Sequence, residues 1–440
     1  RCVKQAEEQK RELALHHEAR LLRAETDPGD VYLEARAMVR TGRLVDAQRL
    51  LKKRAEEERQ ADHSRPQRFH RETLLLLSLV YALQGDVEGA DRCAREGITI
   101  GEQLGSPFVE AVGYMRLGHA VQLRGDSPWE AAERSTLRRS MDCYQRAIEQ
   151  VQTFKVMRTQ VEPLWGLVRA CGYRQDLPGA ELYAGQALEI VRRAGDEWMQ
   201  NLVQVTMGAS YALAGRSAKA RTRLDEAVKG FAQVGDPFGQ SAAWLWLALD
   251  AWWQGDVDRA MGYMSDLLSL AHKHDHGVLL TRRTFIGLKS ESAAIPLLVE
   301  AQKRGIEAQY AGSLLSSMGQ GSIEYHPGYG LAARTLGPFA VWRGDEPVTA
   351  RDWKREKARQ IFQLLLTWPR QWFYREQIID HLWPHLPPEA AERDFKVALN
   401  ALNRALEPNR PRGAAPFFVV RRRSVYGLNP AARIKTDIGD

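Results

Sequence analysis

The side chains best suited to chemistry lie in the last quarter of the chain. Arg393, Lys396, Val397, Asn400, Asn403 and Arg404 fall within one short stretch, and Arg421, Arg422 and Arg423 form a run further on. Lys354, Arg355, Lys357 and Arg359 make a third basic cluster. Arg, Lys and Asn carry the hydrogen-bonding tips that match guanine and adenine edges in a major groove. Arginine runs suit phosphates, whose contacts position a protein without specifying sequence. The chemistry these residues can do together is recognition of a nucleic-acid duplex.

Other chemistries find less support. An enzyme needs a nucleophile with a base, paired carboxylates or a metal site, and the chain offers no convincing set. His381 and His385 are separated by Pro384 in a turn-prone stretch. His272 and His276 have the spacing of a metal pair on one helix face, but the cluster around His274 and Asp275 falls where an inter-helix turn is expected. No catalytic residue, metal or cofactor is therefore assigned. Cys2, Cys93, Cys143 and Cys171 form no C-x-x-C pair, which argues against a zinc site or disulfide framework. Free, buried thiols in a reducing cytoplasm are expected. Trp244, Trp246, Trp252 and Trp253 crowd one segment and offer a stacking surface for a ligand or partner, against the plainer reading that they fill space between helices. No apolar run is long enough for a membrane span.

The charge supports this division of labour. The 440 residues carry 62 Lys and Arg against 55 Asp and Glu, a net of +7. Residues 331–440 hold 19 basic and 12 acidic residues, so the whole excess lies there and residues 1–330 are neutral.

The basic segment needs elements to hold it. Short apolar runs at Ala332–Thr349, broken by Gly337-Pro338 and Gly344-Asp345, predict small strands. Three helices are predicted next, over Trp353–Thr367, Arg375–Trp383 and Pro388–Glu407, followed by a hairpin over Pro416–Pro430 with the arginine run at its turn. In the third helix Phe395, Ala398, Leu399, Leu402 and Leu406 form one apolar stripe. Arg393, Val397, Asn400 and Arg404 lie opposite, flanked by Lys396 and Asn403. That is the division a recognition helix requires: one side packed, the other free for base edges.

Residues 1–317 repeat. A turn followed five residues later by Ala recurs at Gly42…Ala47, Gly85…Ala90, Gly215…Ala220 and Gly255…Ala260, with Gln175…Ala180 and Gly125…Ala131 as variants. The successive intervals are 43, 40, 50, 40 and 40 residues, the long one implying about ten inserted residues near Ser127–Arg139. Gly195-Asp196, Gly235-Asp236 and His274-Asp275 mark a second set of turns between them. Glycine ends the first helix of each unit in a left-handed conformation, and Ala lets the second approach it closely. One such hairpin cannot bury its apolar face alone, so neighbours stack into a solenoid with a concave surface. His276–Met318 is expected to continue as helix, and the Gly-rich 318–331 stretch to act as a linker.

These repeats resemble tetratricopeptide repeats, in the long-helix form of large bacterial regulators of the maltose-activator type. Such regulators usually carry an upstream ATPase module; no phosphate-loop motif occurs in this sequence, and its first residue, Arg1, looks like a cut from a longer chain. The segments "RTLGPFAVWRG", "WKREKARQIFQLLL", "REQIIDHLWP", "AERDFKVALNALNRALEP" and "VYGLNP" follow in the order of an OmpR-type winged helix as used in SARP-like antibiotic-regulatory activators. The resemblance implies that the third helix reads the major groove and the hairpin is the wing. Asp394 departs from the pattern, so no base preference carries over. A helical activator domain would follow "IKTDIGD" in that family.

The expected fold class is mainly α: a TPR-like α-solenoid of helical hairpins (1–317), a linker (318–331) and a small α+β winged helix-turn-helix domain (332–440). The expected function is a cytoplasmic DNA-binding transcriptional regulator. Its partners would be double-stranded DNA, an effector ligand or protein on the repeats, and RNA polymerase as a candidate. The alternative is an interaction scaffold that uses the winged helix for protein contacts.

Overall fold

The computed structural model describes residues 28–60, 70–125, 135–152, 157–321 and 323–438. Six antiparallel helical hairpins come first. They are α1 (Pro28–Arg40) with α2 (Leu44–Gln60), α3 (His70–Gln84) with α4 (Val87–Gln103), and α5 (Pro107–Arg124) with α6 (Thr136–Gln152). Then come α7 (Val161–Gly172) with α8 (Leu177–Ala194), α9 (Glu197–Leu213) with α10 (Ser217–Val234), and α11 (Pro237–Trp253) with α12 (Val257–His274). The chain is mainly helical, a stack of tetratricopeptide-like hairpins with a small α+β unit at its C-terminal end.

The repeat signature has the physical basis its spacing implies. Gly42, Gly85, Gly125, Gly215 and Gly255 all have positive φ, and Gln175 holds the same left-handed conformation at +65°. Ala47, Ala90, Ala180, Ala220 and Ala260 are each completely buried. Ala131, and most of the stretch where the inserted residues were expected, lie outside the described residues. The second set of turns follows the same logic: Gly195, Gly235 and Asp275 are left-handed, and Asp196 and Asp236 accept from the first backbone N–H groups of α9 and α11. The stack also closes on its first hairpin. Arg40 and Arg158 both reach Asp196, at 2.8 and 2.5 Å, and a Cβ at Gly42 would meet Asp236 and Phe238.

The stretch after α12 departs from the helix expected of it. A four-residue α13 (Val278–Thr281) gives way to a non-helical strap at 282–290, and helix resumes only as α14 (Ile295–Lys303) and α15 (Ala308–Ser317). The strap lies inside the stack: Thr284, Phe285 and Leu288 are fully buried and Ile286 nearly so. Buried backbone must pair its polar groups, and here the neighbouring helices supply the partners.

The C-terminal unit has its own apolar core, running from Leu331 to Leu428. One sheet orders its strands β3 (Glu346–Pro347), β2 (Ala340–Arg343), β1 (Leu331–Arg334) and β7 (Ile434–Thr436), with β1 and β7 parallel. The helices are α16 (Ala350–Trp353), α17 (Glu356–Thr367), α18 (Arg375–Leu382) and α19 (Pro388–Leu406). A second sheet joins β4 (Phe373–Tyr374) to the hairpin β5 (Val419–Arg422) and β6 (Val425–Leu428). Helices and hairpin stand within a few residues of their expected bounds, except that the first helix is broken at Lys354, whose φ is +57°.

The 318–331 stretch is not a free tether. His326 is buried against the Phe417 ring at 4.3 Å, and the Tyr329 hydroxyl donates to the Leu406 carbonyl at 2.8 Å. Gln320 donates to the Ala431 carbonyl at 2.7 Å. Aromatic residues interleaved with the glycines pack this stretch onto the C-terminal unit, which a count of turn-formers alone does not anticipate.

Candidate nucleic-acid interface

Helix α19 presents the two faces its sequence implies. Phe395, Ala398, Leu402 and Leu406 are buried; Phe395 meets Trp383 and Tyr426 edge-on at 6.4 and 5.3 Å. Arg393, Lys396, Val397, Asn400 and Arg404 are exposed with the whole chain present. Lys396 is held by Glu392 at 3.0 Å, and Arg375 reaches the same carboxylate at 2.7 Å. The hydrogen bond from Lys396 and the charge of Arg375 keep the Glu392 carboxyl below its usual range. Lys396 therefore meets a ligand with part of its charge already offset.

Asn403 is a correction. Only 6% of it is exposed, and its Oδ1 has no hydrogen-bond partner among the described residues. The last turns of α19 are enclosed on several sides, with Ala401, Leu402, Ala405 and Leu406 all buried around it. The helical wheel places Asn403 at the margin of the polar face; the packing decides the side. The free face thus runs from Arg393 through Lys396, Val397 and Asn400 to Arg404, without Asn403.

The hairpin tip carries its arginines outward. Arg421, Arg422 and Arg423 are exposed, and Arg423 sits at the turn with φ +56°. Arg421 Nε donates to the Arg423 carbonyl at 2.7 Å, and the Arg422 guanidinium lies 4.5 Å from the Trp372 ring centre. These contacts order the tip and leave the cationic ends accessible.

The basic cluster at 354–359 divides. Lys354 and Arg355 are exposed at the break between α16 and α17. Lys357 instead donates to the Leu382 carbonyl at 2.5 Å and sits 5.5 Å from the centre of the Trp383 ring. Arg359 is half-buried and paired with Glu356 at 2.6 Å. Of the two expected at phosphates, Lys357 is occupied inside the unit, capping a helix end, while Arg359 stays at the surface with its charge offset by a carboxylate one turn away.

The tryptophans do not form one surface. Trp246 is 1% exposed, and its Nε1 donates to the Ile286 carbonyl at 3.0 Å. As a ligand-stacking residue it is a correction: it faces the buried strap. Trp244 is half-buried against Tyr263, Trp252 is half-buried, and only Trp253 is exposed. The three histidines do not form one set: His274 and His276 stack with ring centres 5.6 Å apart, and His272 stacks instead on Tyr310. His272 pairs with Glu307 at 3.1 Å, while His276 faces the Gly42 carbonyl at 3.3 Å. Cys93, Cys143 and Cys171 are free, and burial pushes each thiol up to about 11. Cys2 lies outside the described residues.

A buried polar network that sequence reasoning missed lies beneath the strap. His119 is fully buried, with Nδ1 2.7 Å from the Tyr144 hydroxyl and Nε2 2.9 Å from Glu162. Gln122 donates to Tyr144 at 2.8 Å and accepts from Arg169 at 2.8 Å. Burial and the charges of Arg116 and Arg169 hold the imidazole well below its usual range, so it stays neutral. These residues stand 22 to 47 positions apart, and only the recurring helical period, in phase, could have hinted at their meeting. Phe285 covers the network, its ring 4.0 Å from His119 and 4.8 Å from Trp165.

No known protein family matches the sequence, and no curated protein matches it. Two solved structures are similar over the repeats. One is a Rap protein complexed with competence and sporulation factor: 15% identity, TM-score 0.46, covering 67% of this chain and 77% of that one. The other is a signal transduction ATPase with numerous domains and a tetratricopeptide repeat sensor, from Pyrococcus horikoshii: 14% identity, TM-score 0.39, covering 66% of this chain and 41% of that one. At these scores neither likeness carries an argument about what this chain does. Among the described residues, no helix is long and apolar enough to cross a membrane.

Proposed function

We propose that this chain is a DNA-binding transcriptional regulator. Its C-terminal unit acts as a winged helix on promoter duplex, and its repeats report a ligand or protein partner to that unit. One observation carries the reading. The exposed face of α19 bears Arg393, Asn400 and Arg404 over a packed core, with an arginine-tipped hairpin in the same small unit. A reading helix needs a rigid seat, free base-reading tips and nearby cations for phosphate. No reaction is assigned to the chain.

The test is selection of bound sequences from random duplexes. The wild-type chain recovers a defined motif. Asn400→Ala changes the base preferred at one position, while Arg422→Ala weakens all sequences alike. A uniform loss for Asn400→Ala removes it from the groove, and failure to retain duplex at low salt refutes the reading.

A second reading is an interaction scaffold. Exposed Trp368, Tyr374 and Leu386 on the same unit favour it, because large apolar side chains left at a surface suit a protein partner. Recovery of a stoichiometric protein partner through these residues, with no duplex retained, supports it over DNA binding.

A further inference from the structure

The strap at 282–290, which turns at Thr284–Gly287, is held as a bound peptide would be, by side chains on its backbone. The Phe285 N–H donates to the Ala82 carbonyl on α3 at 3.0 Å. Arg169 Nε, on α7, donates to the Phe285 carbonyl at 2.8 Å. Trp246 Nε1, on α11, donates to the Ile286 carbonyl, and the Tyr173 hydroxyl, just past α7, to the Gly287 carbonyl at 2.8 Å. Three consecutive carbonyls are thus read by three side chains from two different hairpins. Arg283 reaches the Arg124 carbonyl at the end of α5 at 3.1 Å. A Cβ at Gly85 would meet the Arg283 backbone, and one at Gly125 its guanidinium. The turns at Gly195, Gly215, Gly235 and Gly255 have nothing so close. The strap therefore passes over two turns where glycine leaves the room.

Its exit end touches the C-terminal unit. Lys289 donates to the Tyr173 carbonyl at 2.9 Å and pairs with Asp345, in the turn between β2 and β3. Glu291, one residue past the strap, pairs with Arg433, and Arg283 approaches the same carboxylate at 3.8 Å. Arg433 sits at the root of the first sheet, where its carbonyl accepts from Leu331 N–H at 2.9 Å. Arg343, two residues before Asp345, donates to the Ala405 carbonyl of α19 at 3.0 Å. Tyr173 thus holds both the groove part of the strap and the lysine that grips the C-terminal unit.

We infer that residues 283–291 form a latch: seating of the strap in the groove of the repeats fixes where the C-terminal unit sits. Pairing of Lys289 and Glu291 with Asp345 and Arg433 transmits the seating, because both partners sit at the same end of the first sheet, where Arg343 bonds the Ala405 carbonyl of α19. Release of the strap releases the unit. This extends the regulatory reading above, yet it stands or falls without DNA.

Hydrogen exchange by mass spectrometry on the full chain, with no duplex present, tests it. Tyr173→Phe keeps the ring and removes the donor to Gly287. Exchange in 283–289 rises about fivefold, the change in opening expected for one lost neutral hydrogen bond, and exchange in 431–436 rises with it. Phe285→Ala, which empties the seat over His119, produces a larger rise in both segments, with the far repeats (197–234) still protected to show the stack is folded. Lys289→Ala combined with Glu291→Ala raises exchange in 431–436, with a smaller rise in 283–289 from the lost Lys289–Tyr173 and Arg283–Glu291 contacts. A loosened strap with 431–436 unchanged overturns the coupling. No change in either segment for Tyr173→Phe and Phe285→Ala overturns the claim that these contacts hold the strap. Unchanged 431–436 in the Lys289/Glu291 variant overturns the relay. Loss of duplex binding in the selection experiment leaves all three outcomes readable.

Discussion

The salt dependence of duplex binding separates cations that are free from cations the fold already uses. Sequence alone offers seven for phosphate: Lys354, Arg355, Lys357, Arg359, Arg421, Arg422 and Arg423. The structure withdraws two. Lys357 caps the Leu382 carbonyl, and Arg359 is offset by Glu356. Each neutralised phosphate contributes about −0.9 to the slope of log K against log salt, so five cations give about −4.5 and seven about −6. Over a fourfold rise in salt, that is about a 500-fold loss of affinity against about 6,000-fold. The assay is a fluorescence-anisotropy titration of one labelled duplex at four salt concentrations. The single substitutions discriminate more sharply than the total. Arg422→Ala and Arg423→Ala each flatten the slope by about 0.9. Lys357→Met, which keeps the aliphatic stem over Trp383, leaves it unchanged. A Lys357→Met variant that flattens the slope while the Arg422 variant does not would refute the assignment of free and occupied cations.

The remaining predictions concern stability. His326 is buried, and burial lowers its pKa to about 3. The unfolded chain therefore binds the proton first; stability from this group is full above pH 6.5 and falls as the pH drops toward 3. At pH 5 the loss is about 2 kcal/mol, and His326→Phe should remove that share of the difference between denaturant unfolding at pH 7 and pH 5. Asp236 runs the other way. Burial raises its carboxyl to about 6 against three donors, Gly239 N–H, Trp198 Nε1–H and Phe238 N–H. Its native state binds the proton first, so stability from this group is present below pH 4 and lost as pH rises through 6. Asp236→Asn should gain on wild type by up to about 3 kcal/mol between pH 4 and 7 in thermal unfolding; a pH-independent difference would contradict the burial argument. Ala220→Leu should cost about 1–3 kcal/mol by overpacking, because Ala220 is wholly buried where α9 and α10 cross. A neutral result there would refute close approach as the reason for the alanine.

What could be read in the sequence was what is local or periodic. The turn glycines and the buried alanines five residues on recur at intervals near 40 residues, with one of 50, and each acts within its own hairpin. The two faces of α19 follow from helical spacing across Phe395, Ala398 and Leu402. What could not be read depends on what comes from elsewhere. Asn403 lies on the polar edge of an isolated helix, and only the enclosure of the last turns of α19 buries it. Lys357 belongs to a basic cluster until the end of α18 brings the Leu382 carbonyl to it. The strap is the clearest case. "RRTFIGLKS" has one glycine and a mixed pattern that neither forbids helix nor suggests an extended run. It leaves the helix and turns at Thr284–Gly287 with its carbonyls outward, because Arg169, Tyr173 and Trp246, at positions 40 to 116 residues away, satisfy them.

The placement of charge and the placement of the strap constrain one another. Residues 1–330 have no net charge, while 331–440 carry +7. Beyond a Debye length of roughly 8 Å, exposed charges are screened at physiological salt. A stack without net charge therefore exerts little long-range pull on a phosphate backbone or on the arginine-tipped hairpin. Contact between the two parts has to be specific and short-range, and the pairs that make it lie at the first sheet: Asp345 and Arg433 on one side, Lys289 and Glu291 on the other. That end of the sheet bonds α19 at the Ala405 carbonyl, in the helix's buried last turn, while the cations on the helix's other face and at the hairpin tip stay exposed. The repeats can then govern where the unit sits without covering the face it would use, so control by position, rather than by occlusion, is the form of regulation this arrangement favours.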